Sequence, residues 1–161
     1  MRFIKIKTGY LYHIKDSFFD KVKDKGLMSN HEGKRNRPTY FTIKDKDILW
    51  FIPLSSNIDK YKKIIENKIK KYGSCKTILI RKIANKESVI LLQNSFPILE
   101  KYIDHPHMLN GKPLKVVDSL KYEILNNFKY MMSMKLEGKN LFFTDIDKIK
   151  EMMLEEISTP V

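Results

Sequence analysis

The sequence predicts an α+β protein, a small, strongly curved antiparallel sheet or half-open barrel flanked by helices. Three observations lead there. Its β-prone runs come in pairs about short polar turns, which favours hairpins over parallel crossovers. Apolar stripes at helical spacing, with helix-start and helix-stop residues at their ends, stand between those pairs. The 161 residues are 42% hydrophobic and 11% aromatic, enough for a core that needs neither disulfides nor a structural metal. One domain over 1–161 is expected.

In chain order, 2–7 reads as a short strand, and Leu11, Ile14 and Phe18 suggest a short helix over 8–19 after a break at Thr8-Gly9. Residues 20–37 are polar and basic and include Gly26 and Gly33. A loop of that length is better explained by function than by connection. Two β-prone runs, 39–44 and 48–54, flank the turn Asp45-Lys46-Asp47 as a hairpin. Ser55, Ser56 and Asn57 then precede a stripe of Ile58, Tyr61, Ile64, Ile65, Ile69 and Tyr72 that stops at Gly73, the pattern of a capped amphipathic helix.

A second hairpin is expected from 77–83 and 88–92 across Ala84 to Glu87. The stretch 94–113, with three prolines and a glycine, reads as irregular. Asp118 is placed to cap a helix to about Lys135, with Leu120, Ile124, Phe128, Met131 and Met132 inward and Gly138 as its end. Thr144 and Asp147 have the spacing of a capping box opening a last helix to about Glu156.

Thirty-one Lys and Arg against nineteen Asp and Glu leave a formal charge of +12. Such an excess suits a polyanionic partner, although an AT-rich genome would also enrich lysine. The single cysteine, Cys75, rules out an intramolecular disulfide and fits a reducing, cytoplasmic setting. The first residues alternate charge with apolar side chains, unlike a signal peptide, and no run approaches the length of a membrane span.

The motifs narrow the chemistry. No glycine-rich phosphate loop follows any strand, so nucleotide-driven chemistry is unsupported. Carboxylates are scattered among lysines, as on solvated helix faces. None of His13, His31, His105 and His107 has the spacing of a zinc site; His105-Pro-His107 is the one pair to test, its plainer reading a solvated loop. Neither a metal nor another cofactor is expected.

Pro53-Leu54-Ser55-Ser56 is more informative. It sets two hydroxyls at a strand-to-helix corner beside free amide donors, a natural phosphate seat as well as an ordinary N-cap. Lys34, Arg35 and Arg37 precede the partner strand of the same hairpin, where a guanidinium could face those hydroxyls. RNA can be cut at such a seat without a metal, because its own 2′-hydroxyl attacks the adjacent phosphorus once positioned in line. The products are a 2′,3′-cyclic phosphate and a 5′-hydroxyl, and DNA is not a substrate. His31 or a tyrosine of perturbed pKa is available for proton transfer, and two or three of the eight tyrosines could stack on bases.

Gly9-Tyr10-Leu11, Phe19-Asp20-Lys21-Val22, Trp50-Phe51-Ile52-Pro53-Leu54-Ser55-Ser56 and Ser95-Phe96-Pro97-Ile98 together resemble the ToxN, AbiQ and CptN group of type III toxin-antitoxin endoribonucleases. The resemblance implies a Kid- and MazF-like curved sheet, and a toxin of phage defence that cuts cellular mRNA. It also implies an antitoxin that is a repeated RNA pseudoknot, bound in a closed protein–RNA assembly. Carried over by position, Ser56 matches the family's key serine, Ser55 the hydroxyl before it, Tyr10 a site-lining tyrosine and Arg37 a basic residue opening the hairpin strand. Where the family has a lysine two residues past the serine, this chain has Ile58, with Lys60 beyond it. The Arg37 match needs a one-residue gap, so Lys34 or Arg35 is an alternative counterpart. His31, Lys34, Arg35, Lys60, Tyr61, Lys62 and Lys63 are the expected RNA-binding set. The competing readings are a non-catalytic basic RNA-binding module and a MazF-type ribonuclease with a protein antitoxin.

Overall fold

The computed structural model describes residues 5–158. Its sheet has seven strands, all antiparallel and not closed into a barrel: β1 (Leu11–Ile14), β4 (Thr39–Asp45), β5 (Ile48–Ser55), β6 (Leu79–Ile83), β7 (Lys86–Ile90), β8 (Phe96–Ile98) and β9 (Ile103–Pro106). Four helices flank it: α1 (Asp16–Lys21), α2 (Ile58–Tyr72), α3 (Asp118–Leu136) and α4 (Ile146–Ser158). Two small hairpins stand apart from the sheet, β2–β3 (His31–Glu32 and Arg35–Asn36) and β10–β11 (Met108–Leu109 and Lys112–Pro113).

The longest strand, β5, organises the rest. One side pairs with β4 along its length, and the other pairs first with β8 and then, from Leu54, with β7. A strand that changes partner midway bends the sheet around it, and a register shift between Phe41 and Ile43 adds to the curvature. Every residue of β5 is buried. Phe41 and Phe51 stack with ring centroids 5.2 Å apart and Tyr12 meets both edge-on within the main core. The inward face of α3, Leu120, Ile124, Phe128 and Met131, covers the same core. A smaller cluster, Tyr61, Ile78, Val89 and Leu91, seats α2.

The hairpin β4–β5, helix α2 with its left-handed Gly73 cap, and helices α3 and α4 follow the sequence expectation, except that no side chain caps the start of α2, where Asn57 is the N-cap. The second hairpin does too, with a tighter turn: Ala84 and Asn85 both take positive φ, as a two-residue turn requires.

Other segments differ. The strand expected over 2–7 begins outside the described residues, and 5–7 are not strand. The helix expected over 8–19 is instead strand β1 followed by the short α1. β1 lies between β4 and β9 with all four residues buried. Its side chains therefore lose the alternation that marks a half-exposed strand, and Leu11 and Ile14 mimic helical spacing. The stretch 94–113 is not irregular: it contains β8, β9 and the hairpin β10–β11.

Asp118 lies in the first turn of α3, with Val117 at the N-cap. No capping box forms at α4. Thr144 Oγ1 donates to the buried carbonyl of Ser95 at 2.5 Å, Asp147 pairs with Lys135, and Asp145 Oδ1 accepts from the Lys148 amide. Among the described residues no helix is long and apolar enough to cross a membrane.

The long basic loop is folded back and pinned. Asn30 Nδ2 donates to the Ile14 carbonyl at 2.8 Å, and the Arg37 amide donates to the Asn30 carbonyl at 2.7 Å. Gly26 lies so close to Phe143 and Thr144 that a β-carbon there would sit 2.2 Å from the Phe143 carbonyl oxygen. These anchors fix where β2–β3 emerges, beside the end of β5.

Candidate functional site

At the end of β5 the chain turns into α2, and the two serines of that corner act differently. Ser55 is buried and fixes the turn before the Asn57 N-cap: its Oγ accepts from the Asn57 amide at 3.1 Å while donating to Glu32 Oε2 at 2.7 Å. Ser56 is exposed, and both its amide (2.9 Å) and its hydroxyl donate to Glu32 Oε1. Arg37, 6% exposed, completes the set. Its Nη1 donates to Glu32 Oε2 at 2.8 Å and to the Leu54 carbonyl at 2.8 Å, and its Nε to the Ser29 carbonyl at 2.7 Å.

Four donors from three residues thus converge on one carboxylate. Glu32 is delivered by the β2–β3 hairpin, whose turn needs Gly33 at φ +66°. Burial raises the Glu32 carboxyl's pKa, but the Ser56 and Ser55 hydroxyls, the Ser56 amide and the Arg37 guanidinium outweigh it and hold the carboxyl at about 2. The corner is built to hold an anion, and the protein's own carboxylate occupies it.

Two cavities open on either side of the corner. The larger, about 630 Å³, lies between the β2–β3 turn, the end of β5, the β6–β7 turn and the segment after β9; its rim carries Lys34, Arg35 and Lys86 as well as Ser56, and His107 lies in its lining. The smaller, about 410 Å³, is bounded by Arg37, Ser56, Lys60 and Tyr61.

Of the residues singled out in the sequence, the fold therefore gathers Ser55, Ser56, Arg37, Lys34 and Arg35 around one corner, with Lys60 and Tyr61 on its far side. Tyr61 itself is 5% exposed and packs in the smaller core cluster, its hydroxyl 4.0 Å from Met28 Sδ. Tyr10, half-buried and bridged to Lys115 across the sheet edge, lines neither cavity. His31 is exposed and turned to Asp16, 3.0 Å away. Lys62 and Lys63 lie on the exposed face of α2, outside both cavities.

Two features of the site escaped sequence reasoning. Glu32 was one acid in a basic loop, and only Gly33 beside it hinted at a turn that would aim it. The histidines, separated by more than ninety residues, are joined by strand pairing: His13 faces His105 across β1–β9. His13 Nε2 lies 2.8 Å from His107 Nδ1, and the His105 ring stacks on His13 at 4.8 Å. Burial, then the neighbouring charges of His107 and His105, lower the His13 pKa to about 4. Burial followed by His105 lowers that of His107. Among the described residues no three His, Cys, Asp or Glu side chains are disposed as metal ligands.

No family model and no curated protein matches the sequence. Among solved structures, the chain is similar in fold to AbiQ, described as a lactococcal anti-phage endoribonuclease belonging to the type III toxin-antitoxin system. The TM-score is 0.70 over 95% of this chain and 100% of that one, at 12% sequence identity. The curved open sheet with flanking helices is thus the fold of that protein.

Proposed function

We propose that this chain is an endoribonuclease that needs no metal and breaks RNA through the ribose 2′-hydroxyl, leaving a 2′,3′-cyclic phosphate and a 5′-hydroxyl. The observation that carries the reading is the convergence of the Ser55 hydroxyl, the Ser56 hydroxyl and amide, and the Arg37 guanidinium on one carboxylate. Two oxygens of a phosphodiester match a carboxylate in charge and approximate span, so the same donors suit an internucleotide linkage once Glu32 is displaced. As negative charge grows on the phosphoryl oxygens, fixed donors in a partly dry corner stabilise it more than water would. Lys34, Arg35 and Lys86 on the rim draw in the flanking phosphates.

Likeness to AbiQ supports the wider role. The protein acts as a type III toxin in the cytoplasm, cuts cellular mRNA, and is held inactive by a repeated pseudoknot RNA in a closed assembly. The +12 charge suits both RNAs. One observation favours the rival reading, a non-catalytic RNA-binding module: Glu32 saturates the corner's donors, as a purely structural ion pair does.

Cleavage separates the two. Purified protein should cut single-stranded RNA in EDTA, and Ser56→Ala should lower the rate on the order of 100- to 1,000-fold, the usual cost of an oxyanion donor, with an unchanged melting temperature. Full activity in the alanine variant removes Ser56 from the mechanism. RNA left whole by the wild type while still bound would establish the binding module instead.

A further inference from the structure

The proposed reaction needs a group that removes the 2′-hydroxyl proton, and the serine corner does not supply one. Both Glu32 oxygens are already engaged by donors, and so strongly hydrogen-bonded a carboxylate is a weak proton acceptor. His31 points elsewhere, to Asp16. The other wall of the larger cavity carries His107, whose main chain is fixed on both sides: its amide donates to the Leu11 carbonyl at 2.9 Å and its carbonyl accepts from Leu114 at 2.9 Å. Its Nδ1 is committed to His13 Nε2, leaving Nε2 without a hydrogen bond among the described residues.

His13 limits what His107 can do. It is 8% exposed and its Nδ1 is buried without a hydrogen-bond partner, so the contact with His107 is the hydrogen bond its ring makes among the described residues. Two neutral rings can share that contact with His107 Nδ1–H donating to His13 Nε2. The lone pair of His107 then lies on Nε2.

We propose that His107 Nε2 accepts the 2′-hydroxyl proton in the cleft it shares with Ser56, and that buried His13 is the positioning residue that holds His107 in the accepting tautomer. The inference rests on the endoribonuclease reading above. In the step, the 2′-oxygen–phosphorus bond forms as the phosphorus–5′-oxygen bond breaks. The 2′-hydroxyl proton passes to His107, the departing 5′-oxygen takes a proton from water, and the imidazolium returns its proton to solvent. No water is consumed overall and nothing is oxidised.

Burial first, and then the neighbouring imidazoles, disfavour a proton on this pair. The His105 ring, its Nδ1 3.4 Å from Asp104 Oδ2, lies against His13, and Lys34, Arg35 and Lys86 share the cavity with His107, their charges only partly offset by Glu32 and Glu87. A base needs to be unprotonated when substrate arrives.

The test is kcat and KM between pH 4 and 8 on a mixed-sequence single-stranded RNA in EDTA. The wild-type rate should rise with pH along a limb centred below the usual imidazole value and level off by neutrality. His107→Ala should lower kcat roughly 100-fold or more, leave KM nearly unchanged, abolish the limb and regain rate with added imidazole. His107→Gln, which keeps side-chain bulk against His13, should be equally slow while melting like the wild type. His13→Gln should lower kcat less, keep the limb and gain nothing from imidazole. A His107→Gln enzyme with wild-type kcat and limb overturns the inference and, if Ser56→Ala is still dead, leaves the endoribonuclease reading intact. RNA untouched by the wild type at every pH sinks both.

Discussion

The serine corner and the histidine cluster flank the same cleft, yet they solve opposite electrostatic problems. At the corner a full negative charge on Glu32 is kept ionised by four donors, one of them a guanidinium, and two of its three partner residues are buried. Across the cleft three imidazoles are crowded, and charge is driven off two of them: burial and the neighbouring rings lower His107 and leave His13 with a pKa of about 4. One wall is a rigid holder for an anion, the other a store of neutral, polarisable nitrogen. A cyclising ribonuclease needs both, a grip for the phosphate and an acceptor for the proton, and neither wall could do the other's work.

The largest expected effect lies at the corner's buried member. Arg37→Ala takes the guanidinium from the Leu54 and Ser29 carbonyls and leaves Glu32 with only its serine donors. Breaking a buried pair costs about 3–5 kcal/mol, and with Glu32 about one-third exposed the expected loss is about 2–3 kcal/mol. Denaturant unfolding should show it, and Arg37→Lys should recover little, because an ammonium cannot span three acceptors. A stable Arg37→Ala protein would mean the corner is not held from beneath.

Next comes the histidine wall, through pH. The sign follows from a depressed pKa: folded His13 resists protonation and the unfolded residue does not. Its contribution is complete above about pH 6.5 and fades as pH falls towards about 4, by about 1.4 kcal/mol per unit at most. Thermal melts across that window should steepen for the wild type and flatten for His13→Gln. Glu32 has the same sign in a lower window. Its hold is present above the ordinary carboxyl pKa and is lost as pH falls towards about 2, so melts that drop only below pH 4 would assign the acid sensitivity to the corner instead.

A comparable effect tests what aims the corner. Gly26→Ala forces a β-carbon into the Phe143 carbonyl, an overpacking expected to cost about 1–3 kcal/mol. It should displace the loop bearing Glu32 more than it disturbs the histidines. Amide exchange should rise in 23–37 and not in 11–14.

The smallest effect sharpens the comparison most. Glu32→Gln removes the charge that occupies the seat, so RNA affinity at moderate salt should rise several-fold, since each phosphate contact then releases counterions without a resident anion to displace. Weaker RNA binding in this variant would make Glu32 a contact for RNA and not a stand-in for phosphate.

How much of this was legible beforehand follows from the range of the interactions. The β4–β5 hairpin, α2 with its glycine stop, and the serines at their junction are written in short-range signals of turn residues and periodicity, and all were readable. β1 was misread because a strand buried on both faces carries no alternation. β8 and β9 were missed because Pro97 and Pro106 read as breakers, whereas each lies in a short strand, paired with Trp50 and Tyr12. The site divides along the same line. Ser56 and the basic cluster announce themselves locally, while Glu32 meets the serines over 24 residues and His13 meets His107 over 94. No single-sequence pattern encodes those encounters; they arise from strand pairing and loop anchoring.

The central claim is that the corner grips one linkage while the ribose breaks its own strand. An end-labelled RNA and the same RNA carrying a single 2′-deoxy nucleotide at the mapped cut should be incubated with the protein in EDTA. The all-ribose strand should yield a 2′,3′-cyclic phosphate and a 5′-hydroxyl, and the substituted strand should stay whole at that position. Cleavage of the deoxy linkage, or products with a 5′-phosphate, would contradict the account.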